Sequence, residues 1–241
     1  MAKTTFLIGV DDTDNATSPG TGRLARVLSQ KCDRLGLAPA GVTRHQFLID
    51  PAIPYTSHNS GACIAVECDN GLNIGDFVLD FVARTSADGS NPGVCITPMS
   101  QVPAVVTEFG IRATEQVVAI PEAFGLAKQT GITLYGLGRT CQGVIGALGS
   151  VGLRASGDNG RFIDLPGLRE LSGCIGAEAF DRIGVVVEHR GCGRSPGAND
   201  RYETLDWVRP RLAGGKAVLP VQWSEEEDAW IPVDKKGHAT G

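Results

Sequence analysis

The chain has no long apolar run, no Cys-x-x-Cys pair, no low-complexity linker and no repeat of fixed period. Each absence removes a class of protein. A membrane-crossing helix needs about 20 consecutive apolar residues, and none is present. The opening Met-Ala-Lys-Thr-Thr lacks the apolar centre of a signal peptide, so the expected compartment is the cytoplasm, with no membrane partner. Seven cysteines without close pairs form neither a disulfide framework nor a zinc ribbon, and reduced, mostly buried thiols are expected. An excess of positive charge is missing too: 22 Lys and Arg face 27 Asp and Glu, a net charge of −5. That balance argues against a broad nucleic-acid footprint and favours a small ligand, leaving room for a local basic stripe. No Gly-Lys-Ser/Thr string occurs, which excludes a Walker loop.

What remains is an ordinary globular composition, 42% hydrophobic and 20% charged over 241 residues. This length supports one large domain or two moderate ones. The chain is organised around Thr5-Phe6-Leu7-Ile8-Gly9-Val10, which runs straight into Asp11-Asp12-Thr13-Asp14-Asn15. An apolar run followed by carboxylates reads as a buried strand delivering negative charge to a sheet edge, where open α/β sheets bind ligands. Three neighbouring carboxylates repel one another, and hard oxygen ligands beside a phosphate favour Mg²⁺. The plainer alternative is a polar turn in which Asp12 or Asp14 caps the next helix. Ala16 to Gly22 is small and flexible, and Leu24, Val27, Leu28, Cys32 and Leu35 follow at helical spacing. Strand, acidic turn, glycine-containing loop and helix N-terminus make a plausible Mg-phosphate site, or a plain connection.

Val42 to Ile49 and Ala62 to Cys68 read as strands on either side of Asp50-Pro51 and the polar group Tyr55 to Gly61. Within that group His58 is open between general base, phosphate contact and solvated loop residue. Ile74, Phe77, Val78, Phe81 and Val82 keep a helical period. Asn91 either faces a ligand or makes an Asx turn before the strand Val94 to Thr97. Val102 to Phe109 and Glu115 to Ala127 look helical. Ile132 to Gly138 then reads as a strand whose Gly138-Arg139 end opens a helix from Gly143, with Arg139 able to grip an anion. Close packing of that Gly- and Ala-rich helix is the competing account. Strands are expected at Gly160 to Leu165, Ile183 to His189, Val218 to Trp223 and Trp230 to Val233, with Gly191 to Gly197 either a mobile lid or a long hairpin turn. The acidic turn Ser224 to Asp228 is assigned no chemistry, and Arg190, Arg194, Arg201, Arg209 and Arg211 form a modest basic concentration.

Several of these strings occur together in one known family. Ile8-Gly9-Val10-Asp11-Asp12-Thr13-Asp14, then Ile53-Pro54-Tyr55-Thr56 with Asn59 and Gly61-Ala62, then Asn91-Pro92-Gly93, then Gly138-Arg139 with Gly143 to Leu148, resemble the archaeal isoleucine-tRNA agmatinylcytidine synthetases. The resemblance implies an α/β (α+β) fold, with a kinase-like nucleotide and Mg domain at 1–130 and a ferredoxin-like domain at 131–241. It implies ATP and Mg²⁺ as cofactors, phosphorylation of a cytidine oxygen and displacement by agmatine. Asp11, Asp12 and Asp14 would hold the metal and, with Thr21 as the phosphorylated threonine, form the catalytic set. Thr13, Gly20, Gly22, His58, Asn59, Asn91, Gly138, Arg139 and Gly143 would contact nucleotide. The family's Gly-x-Cys-Thr-Thr type string is replaced here by Ser18-Pro19-Gly20-Thr21-Gly22. Its OB-fold and zinc ribbon have no counterpart in this sequence. A stand-alone phosphoryl-transfer core with a small-molecule substrate is therefore expected, with tRNA dependent on a partner protein and a non-catalytic nucleotide- or metabolite-binding module as the alternative.

Overall fold

The computed structural model describes residues 3–56, 58–69, 74–191, 194–204 and 207–233. The first six elements are β1 (Lys3–Asp11), α1 (Thr21–Arg34), β2 (Ala38–Gln46), β3 (Ser60–Asp69), α2 (Ile74–Thr85) and β4 (Gly93–Pro98). Their strands lie in the order β4-β1-β3-β2, every neighbouring pair antiparallel. This βαββαβ arrangement is the ferredoxin-like one. It sits in the first hundred residues, whereas the sequence reading places it at 131–241. The first strand is nevertheless buried on both faces, as its unbroken apolar run requires. Ile8 and Val10 pack with Leu24, Leu28, Val78 and Val82 of the two helices on one side. Leu7 faces the opposite side, where a second cluster forms.

That second side is covered by α3 (Ala104–Glu115), α4 (Ile120–Thr130) and, after β5 (Thr133–Gly136), by α5 (Gly143–Ser156). Glu115 ends α3 rather than starting the next helix, and Pro121 lies in the first turn of α4, where its missing N–H costs nothing. Val144, Ala147, Leu148 and Val151 of α5 pack against Leu7, Cys63 and Cys95. β5 adds an antiparallel edge strand to β4. A division at 130/131 therefore cuts through one packed unit, because β5 and α5 rest on the sheet of β1, β3 and β4.

The remaining elements are β6 (Arg161–Asp164), β7 (Cys174–Ile175), α6 (Ala177–Arg182), β8 (Val185–Arg190), β9 (Tyr202–Glu203), β10 (Arg211–Ala213), β11 (Lys216–Ser224) and β12 (Ala229–Pro232). They enclose a separate cluster around Phe162, Phe180, Tyr202, Leu219 and Trp230. β11 is its central strand, antiparallel to β10 and β12 and parallel to β8. β6 joins both halves into one twelve-stranded sheet by pairing with β2 and β10. The molecule is thus mixed α/β around one large sheet. No described helix is long and apolar enough to cross a membrane. Of the described cysteines, Cys32, Cys63, Cys68 and Cys95 are buried, Cys141 is partly covered and Cys174 exposed.

Candidate active site

Strand periodicity aims the first carboxylate. Leu7, Gly9 and Asp11 alternate onto the face that α5 covers. Asp11 consequently ends beneath the helix, and a methyl group on Gly146 would lie 1.7 Å from its Oδ2. Burial pushes the Asp11 carboxyl up to about 7, only partly opposed by the Asp12 N–H that it accepts at 2.8 Å. Asp12 then turns the chain with a φ of 52°, the left-handed region that aspartate tolerates better than most side chains. Its carboxyl is raised to about 6 by burial and by the charge of Asp14, while the Asn91 backbone N–H lowers it.

Asp14 is held differently, since both of its oxygens are occupied by hydroxyls. Thr21 Oγ1 donates to Oδ1 at 2.8 Å and Thr56 Oγ1 donates to Oδ2 at 2.8 Å. Thr21 is the first residue of α1 and is itself buried, accepting from the Thr13 N–H at 3.2 Å and from Thr13 Oγ1 at 3.0 Å. The hydroxyl–carboxylate pair of Thr21 and Asp14 is the geometry of an oxygen nucleophile beside a proton acceptor.

Two clefts meet at Asp14, Thr56, His58 and Ser60. The first, about 400 Å³, has Asp11, Asp12 and Asp14 at its floor and apolar walls from Phe47, Ile53, Tyr55, Val118, Ile120 and Ile145. Polar floor and apolar walls are the usual make-up of a nucleotide-sized site. The second, about 280 Å³, is lined by Gly20, Thr21 and Gly22 at the start of α1 and by five arginines.

The expected residues distribute unevenly over this geometry. Asp11, Asp12, Asp14, His58 and Asn59 line the first cleft, and Gly20, Thr21, Gly22 and His58 the second. Asn59 also braces the loop, its amide donating to the Leu48 carbonyl. Thr13 lines neither and supports Thr21 from behind. Asn91, Gly138, Arg139 and Gly143 likewise do not reach these clefts. Asn91 pins the loop before α5 instead, its Oδ1 accepting from the Thr140 N–H at 3.0 Å and its carbonyl from the Gly143 N–H at 3.0 Å. Arg139 is exposed, and Gly143 is spent on the close approach of α5 to Gly93. Ser57, Cys192 and Gly193 lie outside the described residues.

Among the described residues no group of three His, Cys, Asp or Glu side chains converges on a cation position. Two adjacent half-buried carboxylates suit Mg²⁺, which is commonly held by one or two carboxylates plus phosphate oxygens and water. Asp11 and Asp12 fit that pair, with Asp14 tied to the two threonines. The sequence reading gives no role to Gly146, Gln142 or the 116–120 loop, all of which line the first cleft. Only the spacing of Gly143 and Gly146 along one helix face signals the tight approach.

No protein-family model matches the chain. It is 29% identical to the isoleucine-tRNA 2-agmatinylcytidine synthetase TiaS of Pyrococcus horikoshii over 152 residues, 60% of this chain and 35% of that one. The chain therefore spans about a third of the length of the curated relative it matches. A solved complex of TiaS with its isoleucine tRNA and ATP superposes with a TM-score of 0.54 at 27% identity, covering 62% of this chain and 36% of the other. A complex of TiaS with the same tRNA, AMPCPP and agmatine gives 0.53 at 26%, covering 62% and 36%. A tRNA fluorescent labeling enzyme gives 0.54 at 27%, covering 61% and 36%.

Proposed function

The chain has a TiaS-like core over some 60% of its length, and from that premise we propose that it is an ATP- and Mg²⁺-dependent phosphoryl-transfer enzyme. The observation behind this reading is that Asp14, which shares the first cleft with Asp11 and Asp12, accepts a hydrogen bond from the Thr21 hydroxyl where the two clefts meet. ATP binding is supported by relatives solved with ATP or AMPCPP. The adenine would lie against the apolar wall and the phosphates over the carboxylates. Asp11 and Asp12 would hold Mg²⁺, which supplies neutralisation of charge on the phosphate oxygens. Phosphoryl transfer asks the protein chiefly for positioning and electrostatics. Thr21 Oγ1 would bond to the γ-phosphorus as the bond to the leaving diphosphate oxygen breaks, its proton passing to Asp14 Oδ1. The unit that performs this would run from β1 through α5, with residues from β6 onward as the attached part. Transfer to RNA, use of agmatine and Thr21 as a transient carrier belong to the same proposal.

The test is incubation with γ-labelled ATP and Mg²⁺, following phosphate release and label on the protein. Asp14→Asn should lower the rate at least ~100-fold. An unchanged rate would remove Asp14 from the chemistry.

A second reading, a nucleotide-binding module without turnover, is favoured by the lack of a three-ligand metal cluster among the described residues and by the full occupation of Asp14. Calorimetry showing ATP binding, with neither hydrolysis nor protein labelling over hours, would select it.

A further inference from the structure

The second cleft gathers charge that the nucleotide reading does not use. Arg23 and Arg26 enter it from the first two turns of α1, Arg44 from β2, Arg169 from the 3₁₀ turn Leu168–Glu170, and Arg209 from the segment before β10. None of these five makes an ion pair within 4 Å among the described residues. Their contacts are weaker ones. Arg44 donates to Ser60 Oγ at 2.9 Å, Arg169 donates to the Ile163 carbonyl, and Arg169 and Arg209 lie over the Trp207 ring at 4.6 and 4.0 Å. The carboxylates that face them are Asp164, close enough to act on Arg26 and Arg169, and Asp14 on the shared rim. Arg209 is held below its usual range by burial and by Arg44, Arg161 and Arg169, so like charges crowd it.

Five guanidiniums against two carboxylates in a protein of net charge −5 is an arrangement that costs stability unless an anion enters. The start of α1, which no side chain caps, lines the same cleft through Gly20, Thr21 and Gly22. The arginines continue into a neighbouring cleft through Arg161 and Arg211, but Arg211 is paired with Glu188 and Arg161 is also engaged. The unpaired charge is therefore compact rather than a stripe, which matches a small anion better than a nucleic-acid backbone.

We propose that this cleft is an anion site separate from the ATP cleft, taking the phosphate or pyrophosphate group of a small phosphorylated substrate, with Arg26, Arg44 and Arg209 as its principal ligands. Planar forks can each engage two phosphate oxygens, and Trp207 holds two of them, Arg169 and Arg209, against its ring. That this substrate is the phosphoryl acceptor rests on the nucleotide reading, since Asp14 and Thr21 lie between the two clefts. Binding of the anion itself does not.

Inorganic pyrophosphate is the probe, titrated calorimetrically into the full chain with and without saturating Mg–AMPPNP. Binding should persist with the analogue present and should fall at least tenfold in Arg26→Gln/Arg209→Gln, while analogue affinity is unchanged. Because the arginines repel one another, the double variant should melt no lower than the native chain without ligand. Competition between pyrophosphate and the analogue would assign the cleft to the ATP phosphates and overturn the proposal. A clear fall in melting temperature would make the arginines structural and overturn it too. Displacement of pyrophosphate by tRNA, with affinity falling steeply in salt, would give the cleft to RNA instead. Failure of ATP turnover with pyrophosphate binding intact would sink the nucleotide reading alone.

Discussion

At the residue scale the site depends on how closely Gly146 approaches Asp11. With only 1.7 Å between an added methyl and Oδ2, Gly146→Ala must displace either the carboxylate or α5. Misplacement of about 1 Å near reacting groups costs on the order of 100-fold in rate. On the proposed phosphoryl-transfer reading, ATP turnover should therefore fall by about that factor while the far-UV circular dichroism keeps its shape, and an unchanged rate would detach Asp11 from the chemistry. His45 offers a second, thermodynamic reading. It is fully buried, with Nδ1 facing Asn159 Oδ1 at 3.0 Å and Nε2 facing Thr43 Oγ1 at 2.8 Å. Burial is the main cause holding it down at about 4, from 6.5 when free. The unfolded chain thus binds the proton more readily. Its stabilising contribution is complete above 6.5 and declines as pH falls toward 4, by about 3 kcal/mol in all. Asp11 and Asp12 act oppositely, because carboxyls raised by burial favour the folded state as they protonate. The effect must accordingly be taken as the difference between native and His45→Gln in urea unfolding. That difference should narrow across this window, and a pH-independent difference would contradict the buried neutral imidazole.

At the scale of elements, two helices show when glycine is a requirement and when it is a weakness. Gly143 and Gly146 bring α5 onto the sheet, so neither tolerates a methyl group. Gly125 in α4 is exposed and has no atom within 4 Å of an added methyl. Gly125→Ala should stabilise the fold by about 0.5–1 kcal/mol, measurable by chemical denaturation. The same contrast explains what can be read from the sequence. β1, α1, α2 and α5 are legible because each has an apolar run or a helical period of its own. The boundary between α3 and α4 is displaced because Glu115 is as acceptable at a helix end as at a start. β7 and β9 have two residues each and are stabilised by partners distant in the chain, while β10 has three and pairs with β11 across the Gly214-Gly215 turn. Asp11, Asp12, Asp14 and Thr21 can be grouped because they are local in sequence. The arginine cleft cannot, since its residues come from separate segments of the chain. Of the five arginines that look like a basic concentration, Arg190 pairs with Glu188, Arg194 with Asp200, and Arg201 donates to Cys174 Sγ. Only Arg209 and Arg211 line basic clefts.

At the scale of the whole molecule, two halves share one sheet, the first with an apolar cluster on each face and the second with its own, and the question is whether the halves unfold together. The link is β6, strengthened by His45 reaching Asn159 and by Arg154 of α5, which lies 4.8 Å from the Phe162 ring and donates to the Ala40 carbonyl. The β2–β6 pairing and the His45–Asn159 and Arg154–Phe162 contacts cross the seam and are at least partly buried, so opening one half would strip partners from half-buried and buried polar groups of the other. A single cooperative transition follows. The chain reports on this directly, because its three tryptophans, Trp207, Trp223 and Trp230, all lie after β6. Tryptophan fluorescence therefore follows the second half, while far-UV circular dichroism follows both. Coincident melting curves are expected from the two probes. If the proposed site in the first half binds Mg–ATP, the ligand should shift both curves upward together, since a ligand that binds only the folded state stabilises the whole cooperative unit. A shift in circular dichroism that leaves the fluorescence curve in place would show that the seam at β6 opens independently.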